Sequence, residues 1–187
     1  MIEEHFAALS GALLRTRPAA ARIRRWGHQL AAVFDSGGKV LVCGNGGSAA
    51  EAQHLTGELI GRFRGERRPL SAIALHADSS AVTAIVNDYG ESEVFARQVR
   101  AHGRPGDVLL TLSASGASPN VVAAAKTALD GGLTAWAFTG PAPNPLVSVC
   151  HDAVVVEASS VATVQEVHLV LVHALCTAVD DALGVTE

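Results

Sequence analysis

Residues 39–63, KVLVCGNGGSAAEAQHLTGELIGRF, decide the fold. Val40, Leu41, Val42 and Cys43 form an apolar run without alternation, the pattern of a strand buried on both faces of a parallel sheet. Gly44, Gly46 and Gly47, with Asn45 among them, then let the backbone turn sharply and bring its N–H groups close to an anion. Ser48 is placed to cap a helix running from about residue 49. The free N–H groups of that helix's first turn, together with its dipole, favour a phosphate or carboxylate. A tight βα turn without a ligand is the plainer alternative, because the spacing matches neither the dinucleotide pattern GxGxxG nor the P-loop.

His54 and Glu58 stand four residues apart on that helix, roughly 40° apart around its axis. An imidazole and a carboxylate so placed converge on one metal ion or one substrate atom. An exposed pair lending slight helix support is the alternative. What favours chemistry is that the pair lies within about two turns of the glycine-rich turn.

Outward from this unit the chain keeps alternating strand and helix. Residues 3–34 have helical spacing broken at Pro18, so one or two helices precede the first strand, and Ser36, Gly37 and Gly38 end them. A second strand is expected at 72–75, a helix over 79–86 capped by Ser79 or Ser80, a turn through Asn87, Asp88, Tyr89 and Gly90, and a helix over 93–102. A third buried strand, DVLLTL at 107–112, runs into Ser113, Ala114, Ser115, Gly116, Ala117, Ser118, Pro119 and Asn120. Three hydroxyls on a small-residue loop ahead of a helix make a second candidate phosphate site, with Pro119 near the first helical position. A serine-rich linker is the alternative, but a linker is not expected between an apolar strand and VVAAAKTAL. Strands at 133–138 and 153–156 follow, with GPAPNP as a loop between them, and a long helix over 164–183 closes the chain, bearing Gln165, Glu166, His168 and His173.

The fold class is therefore α/β: a single doubly wound sheet of about five parallel strands flanked by helices, with N-terminal helices and a long C-terminal helix. Ligands of such sheets bind at the carboxyl ends of the strands, where both the GNGGS and SASGAS turns lie. With 187 residues and 49% hydrophobic content, the chain is expected to be one domain over 1–187 with a substantial core. Aromatic content is 4% and net charge −4, which argues against a nucleic-acid surface. Arg15, Arg17, Arg22, Arg24 and Arg25 are most simply a solvated face. Cys43, Cys150 and Cys176 form no CxxC pair and sit in apolar surroundings, as buried free thiols do. The N-terminus lacks the pattern of a signal peptide, and His, Gly or Pro interrupt every apolar block long enough to span a bilayer. No membrane partner and a cytoplasmic location are expected.

Together, CGNGGSAAEAQH, the HxxxE pair, the AxxNDYG turn, the SxSGxS loop and the QEVHxxxxH ending resemble the sugar isomerase (SIS) domain. The closest likeness is to its sedoheptulose 7-phosphate isomerases, also called phosphoheptose isomerases. The likeness covers essentially the whole chain. It implies that Asn45, Gly46 and Gly47 contact the sugar phosphate, that Asn87 and Asp88 contact its hydroxyls, and that Ser113, Ala114, Ser115 and Ser118 hold the phosphate. His54, Glu58, Gln165 and His173 match the family's zinc ligands, so the implied cofactor is a divalent metal, Zn²⁺. Glu58 and His173 match its acid/base pair, and Gln165 a substrate contact. The family also implies a homotetramer, with residues 1–35 used in oligomer packing. The rival is a non-catalytic SIS protein that binds sugar phosphates or a replication initiator, but those relatives lack the Glu of the HxxxE pair and the last His.

Aldose–ketose interconversion moves a proton between adjacent carbons through an enediol, so it needs a base, a proton donor and a positive centre. Glu58 can be the base and His173 the acid. Gln165 and His173 are eight residues apart, about 12 Å along one helix, an awkward separation for two ligands of one ion. A site completed across a subunit interface is therefore expected. His168 is rotated about 60° from Gln165 and about 140° from His173 around the axis, and reads as a packing residue or one that supports the site from behind. Where the family's phosphate loop usually reads STSGNS, Ala114 and Ala117 remove a hydroxyl and an amide; Ala162, Thr163 and Val164 also depart from its pattern, and Glu51 stands where Asp is usual.

Overall fold

The structure, a computed structural model, describes residues 1–186. Helices α1 (Ile2–Thr16) and α2 (Ala20–Asp35) are separated by a short 3-10 turn at Arg17–Ala19 that contains the anticipated Pro18 break. They lead into β1 (Val40–Cys43) and α3 (Gly47–Ile60). Then come β2 (Ala72–Ala74), α4 (Ser79–Tyr89), α5 (Glu93–His102) and β3 (Val108–Ser113). The chain continues through α6 (Pro119–Asp130), β4 (Thr134–Thr139), α7 (Pro145–Val149), β5 (Asp152–Val155) and α8 (Val161–Ala182).

All five strands are parallel, in the order β2-β1-β3-β4-β5. The chain winds one way from β1 to β2 and the other way from β3 onward, so the switch falls between β1 and β3. There the loops at the carboxyl ends diverge and leave a crevice. Continuous burial of β1 and β3 bears out the two-face reading of their apolar runs. On one side α1, α2, α3 and α8 cover the sheet, and Trp26 of α2 stacks on Trp136 of β4 with ring centres 4.5 Å apart. On the other side lie α5, α6 and α7, packed on Leu41, Leu109 and Ala135.

Three local expectations differ. Helix α3 starts at Gly47, two residues early, and its N-cap is Gly46 at φ +56, a left-handed conformation that a Cβ would disfavour. Ser48 is consequently inside the helix and buried, not capping it. Helix α4 is capped by Asp78, whose carboxylate accepts from Ala81 N at 3.0 Å, and it runs through Asn87 and Asp88, which the sequence placed in a turn. Within GPAPNP and beyond, Asn144 caps the short α7 by accepting from Val147 N, a helix hidden in what reads as a loop.

Helix α8 is long and apolar enough by composition to cross a membrane, yet half of it is buried against the sheet-side helices. Its hydropathy is that of a core helix. The three cysteines are free, with Cys43 and Cys176 buried and Cys150 half-buried; burial pushes the Cys176 thiol up to about 12 and Cys150 to about 11.

Candidate active site at the carboxyl ends of the sheet

The crevice between β1 and β3 holds a cavity of about 200 Å³ lined by residues of both following turns, Asn45 and Ser48 from the first and Ser113, Ser115 and Ser118 from the second. Ala114 and Gln165 complete it from the loop and from α8. Three hydroxyls cluster: Ser113 Oγ lies 3.4 Å from Ser115 Oγ and 3.3 Å from Ser118 Oγ. Helices α3 and α6 both begin at its rim, so their unpaired first-turn N–H groups add positive potential. Among the described residues no acidic side chain lines the cavity, and hydroxyls with helix N-termini form a cradle whose chemistry suits an anion.

Two details of the cradle were not legible in the sequence. Asn45 and Asn120 exchange reciprocal side-chain amide hydrogen bonds of 2.9 and 3.0 Å across the crevice, tying the first turn to the second. Gly47 lies close under α8: a Cβ there would come within 2.7 Å of the Gln165 amide, which would have to swing aside. Asn120 stood in the quoted loop, but its partner lies 75 positions away, and no local pattern reveals that.

Further along α3, His54 and Glu58 are joined by His173 from α8. His54 Nε2 lies 3.1 Å from Glu58 Oε1 and 3.0 Å from His173 Nε2. One donor atom from each of the three side chains falls within 4.8 Å of the others. The Phe63 ring stacks against His173 with centres 5.6 Å apart and limits its rotation. Arg67 fixes the two helices relative to each other. Its guanidinium donates to the carbonyls of Glu58 and Leu59 at the end of α3, and it pairs with the buried Asp180 of α8 at 3.0 Å.

Two imidazole nitrogens and one carboxylate oxygen suit a zinc-like divalent cation, whose tetrahedral nitrogen ligands stand about 3.3 Å apart. The observed spacing of 3.0 Å between ring nitrogens needs only a slight opening. The residues present therefore fit a metal, with the partly exposed side of His54 leaving room for a further ligand.

Gln165 lines the serine cavity, two turns up α8 from His173, with its amide packed against Gly47. The trio itself needs no second subunit. Asn87 and Asp88 are exposed at the end of α4, bonded to each other at 2.7 Å, and belong neither to the cradle lining nor to the trio within one chain.

Behind both sites, His168 is fully buried, as its angular position on the helix predicts, and lies 3.9 Å from Glu51 Oε2. Burial lowers the His168 imidazole to about 4 and raises the Glu51 carboxyl to about 8, so both are neutral near pH 7.

The SIS domain family matches residues 4–140. The phosphoheptose isomerase of Streptomyces coelicolor is 59% identical over 179 residues, covering 96% of this chain and 78% of that protein. Among solved structures, a phosphoheptose isomerase from Francisella tularensis superposes with a TM-score of 0.89 at 37% identity, covering 96% of both chains. One from Neisseria gonorrhoeae gives 0.88 at 38% identity, covering 96% of this chain and 97% of that one. A serine-lined cavity at the β1/β3 switch point and an ionisable trio on helices α3 and α8 thus sit on a chain that belongs to the SIS domain family, among the phosphoheptose isomerases.

Proposed function

We propose that the chain interconverts sedoheptulose 7-phosphate and D-glycero-D-manno-heptose 7-phosphate by proton transfer through an enediol. The observation that carries this reading is the convergence of Glu58, His54 and His173 on one side of α3 while the other end of the same helix opens the phosphate cradle. In this reading Ser113, Ser115 and Ser118 hold the phosphate and so fix the far end of the sugar. Glu58 takes the proton from the carbon beside the carbonyl, and His173 supplies a proton to the oxygen. His54, Glu58 and His173 would hold a divalent cation, which supplies Lewis-acid stabilisation of the developing oxyanion. Phe63 and Arg67 keep the base and acid in register.

Gln165 is the fourth ligand that the family resemblance implies. On its own helix it stands about 12 Å from His173, so it reaches an ion only from a neighbouring copy. A homo-oligomer, a tetramer, is accordingly the proposed active species. The apolar groove between α1, α2 and α8, lined by Leu13, Leu14, Ile23, Val167 and Val170, supports such packing.

The test is turnover of sedoheptulose 7-phosphate followed by NMR, with metal supplied and after chelation. Aldoheptose 7-phosphate is expected to form, and chelation is expected to slow it by about a hundredfold or more. Phosphate-ester binding without turnover in the metal-supplied protein would replace this reading with a non-catalytic sugar-phosphate binder.

A further inference from the structure

Of the five arginines read as a solvated face, Arg15, Arg17, Arg24 and Arg25 are exposed and Arg22 is half-buried, and three of the five share one cavity. Arg15, Arg22 and Arg25 line a cavity of about 340 Å³ between the α1–α2 corner and the edge strand β5, and no residue of the serine cavity is shared with it. Arg22 Nε pairs with Asp152 Oδ1 at 3.2 Å and its Nη1 donates to Ala153 O; Arg25 lies 3.7 Å from Asp152 Oδ2. Trp26 Nε1 donates to the same carboxylate at 3.0 Å and anchors it. Arg15 donates through Nε and Nη2 to the neutral carbonyl of Glu157 at 3.2 and 2.9 Å. Among the described residues no carboxylate lies within 4.0 Å of Arg15.

Three guanidiniums therefore face one cavity with the single carboxylate of Asp152 between them. Each guanidinium offers five N–H donors, most of which remain for a ligand here. Arginines along β5 also blunt an open sheet edge, but that role does not require three of them to line one cavity.

We infer that this cavity is a second anion site, separate from the serine cradle, that takes a small phosphorylated molecule carrying two phosphate-type groups. Its volume lies in the range of small-molecule pockets, and fork-shaped guanidiniums bind phosphate oxygens in pairs. Pro18 and Val154 supply an apolar wall for the remainder of the ligand.

Isothermal titration of the full chain with inorganic diphosphate tests it. Two classes of site are expected, one at the cradle and one here. Arg25→Gln, a change at a side chain 63% exposed and held by one long ion pair, is expected to weaken the second class by about tenfold, and Arg15→Gln with Arg25→Gln to abolish it. Ser115→Ala with Ser118→Ala is expected to remove only the cradle class. The inference is overturned if Arg25→Gln and the double arginine variant titrate like the wild type. It is equally overturned if Arg15→Lys with Arg25→Lys keeps full affinity, because a general positive field would then suffice.

Discussion

Glu58 is asked to do two things with one carboxylate, to face a cation beside His54 and to move a proton, so its removal should be felt in the chemical step. Glu58→Gln keeps the shape and is expected to cut kcat by about a thousandfold while leaving phosphate-ester affinity within about threefold, measured by turnover and by titration. Loss of affinity with kcat intact would move Glu58 out of the reaction. Glu51 behaves differently because it is buried. Its carboxyl rises from 4.5 in the unfolded chain to about 8 in the fold. The folded chain holds that proton more tightly, so Glu51's contribution to stability is full below about pH 4.5 and is lost as pH climbs towards 8. His168 has the opposite dependence. With its imidazole lowered from 6.5 to about 4, its contribution is full above 6.5 and fades as pH falls through 4. Glu51→Gln is expected to flatten the decline of Tm between about pH 5 and 8 in calorimetry. An unchanged slope would mean that Glu51 is ionised in the fold.

At the scale of elements, the contact between α3 and α8 sets both the cradle and the trio. Gly47→Ala would push its methyl against the Gln165 amide, a flexible end that can swing away, so the fold is expected to hold to within about 1 kcal/mol. What should change is the cradle: KM for the sugar phosphate is expected to rise about tenfold with a smaller effect on kcat. Unaltered KM would show that Gln165 has no part in binding. The elements were mostly legible from periodicity, down to the bounds of α5 and the Pro18 break. The misses share a cause. Helix α7 is too short for periodicity and rests on one asparagine cap, and the start of α3 is set by the left-handed Gly46, which admits a helix earlier than a serine cap would.

For the whole molecule, the unpartnered apolar side is the main open account. Ile2, Phe6, Leu14, Val161 and Val170 on α1 and α8 are large and exposed in one chain. Val170→Asp is expected to shift light-scattering mass towards the monomer and to lower turnover with it, because Gln165 on the same helix is proposed to serve a neighbouring copy. A monomeric and fully active enzyme would end the idea of a site shared between copies.

By itself the sequence determined the alternation of strands and helices, the glycine-rich turn after β1, the hydroxyl loop after β3 and the His54/Glu58 pair, because each depends on residues within a few positions of one another. Tertiary structure alone decided that His173 joins that pair within one chain while Gln165 joins the serines. It also decided that Asn45 meets Asn120 and that three arginines converge on β5. Those placements depend on how α8 and α2 lie against the sheet, and helix packing is fixed by the whole core at once, not by any local pattern.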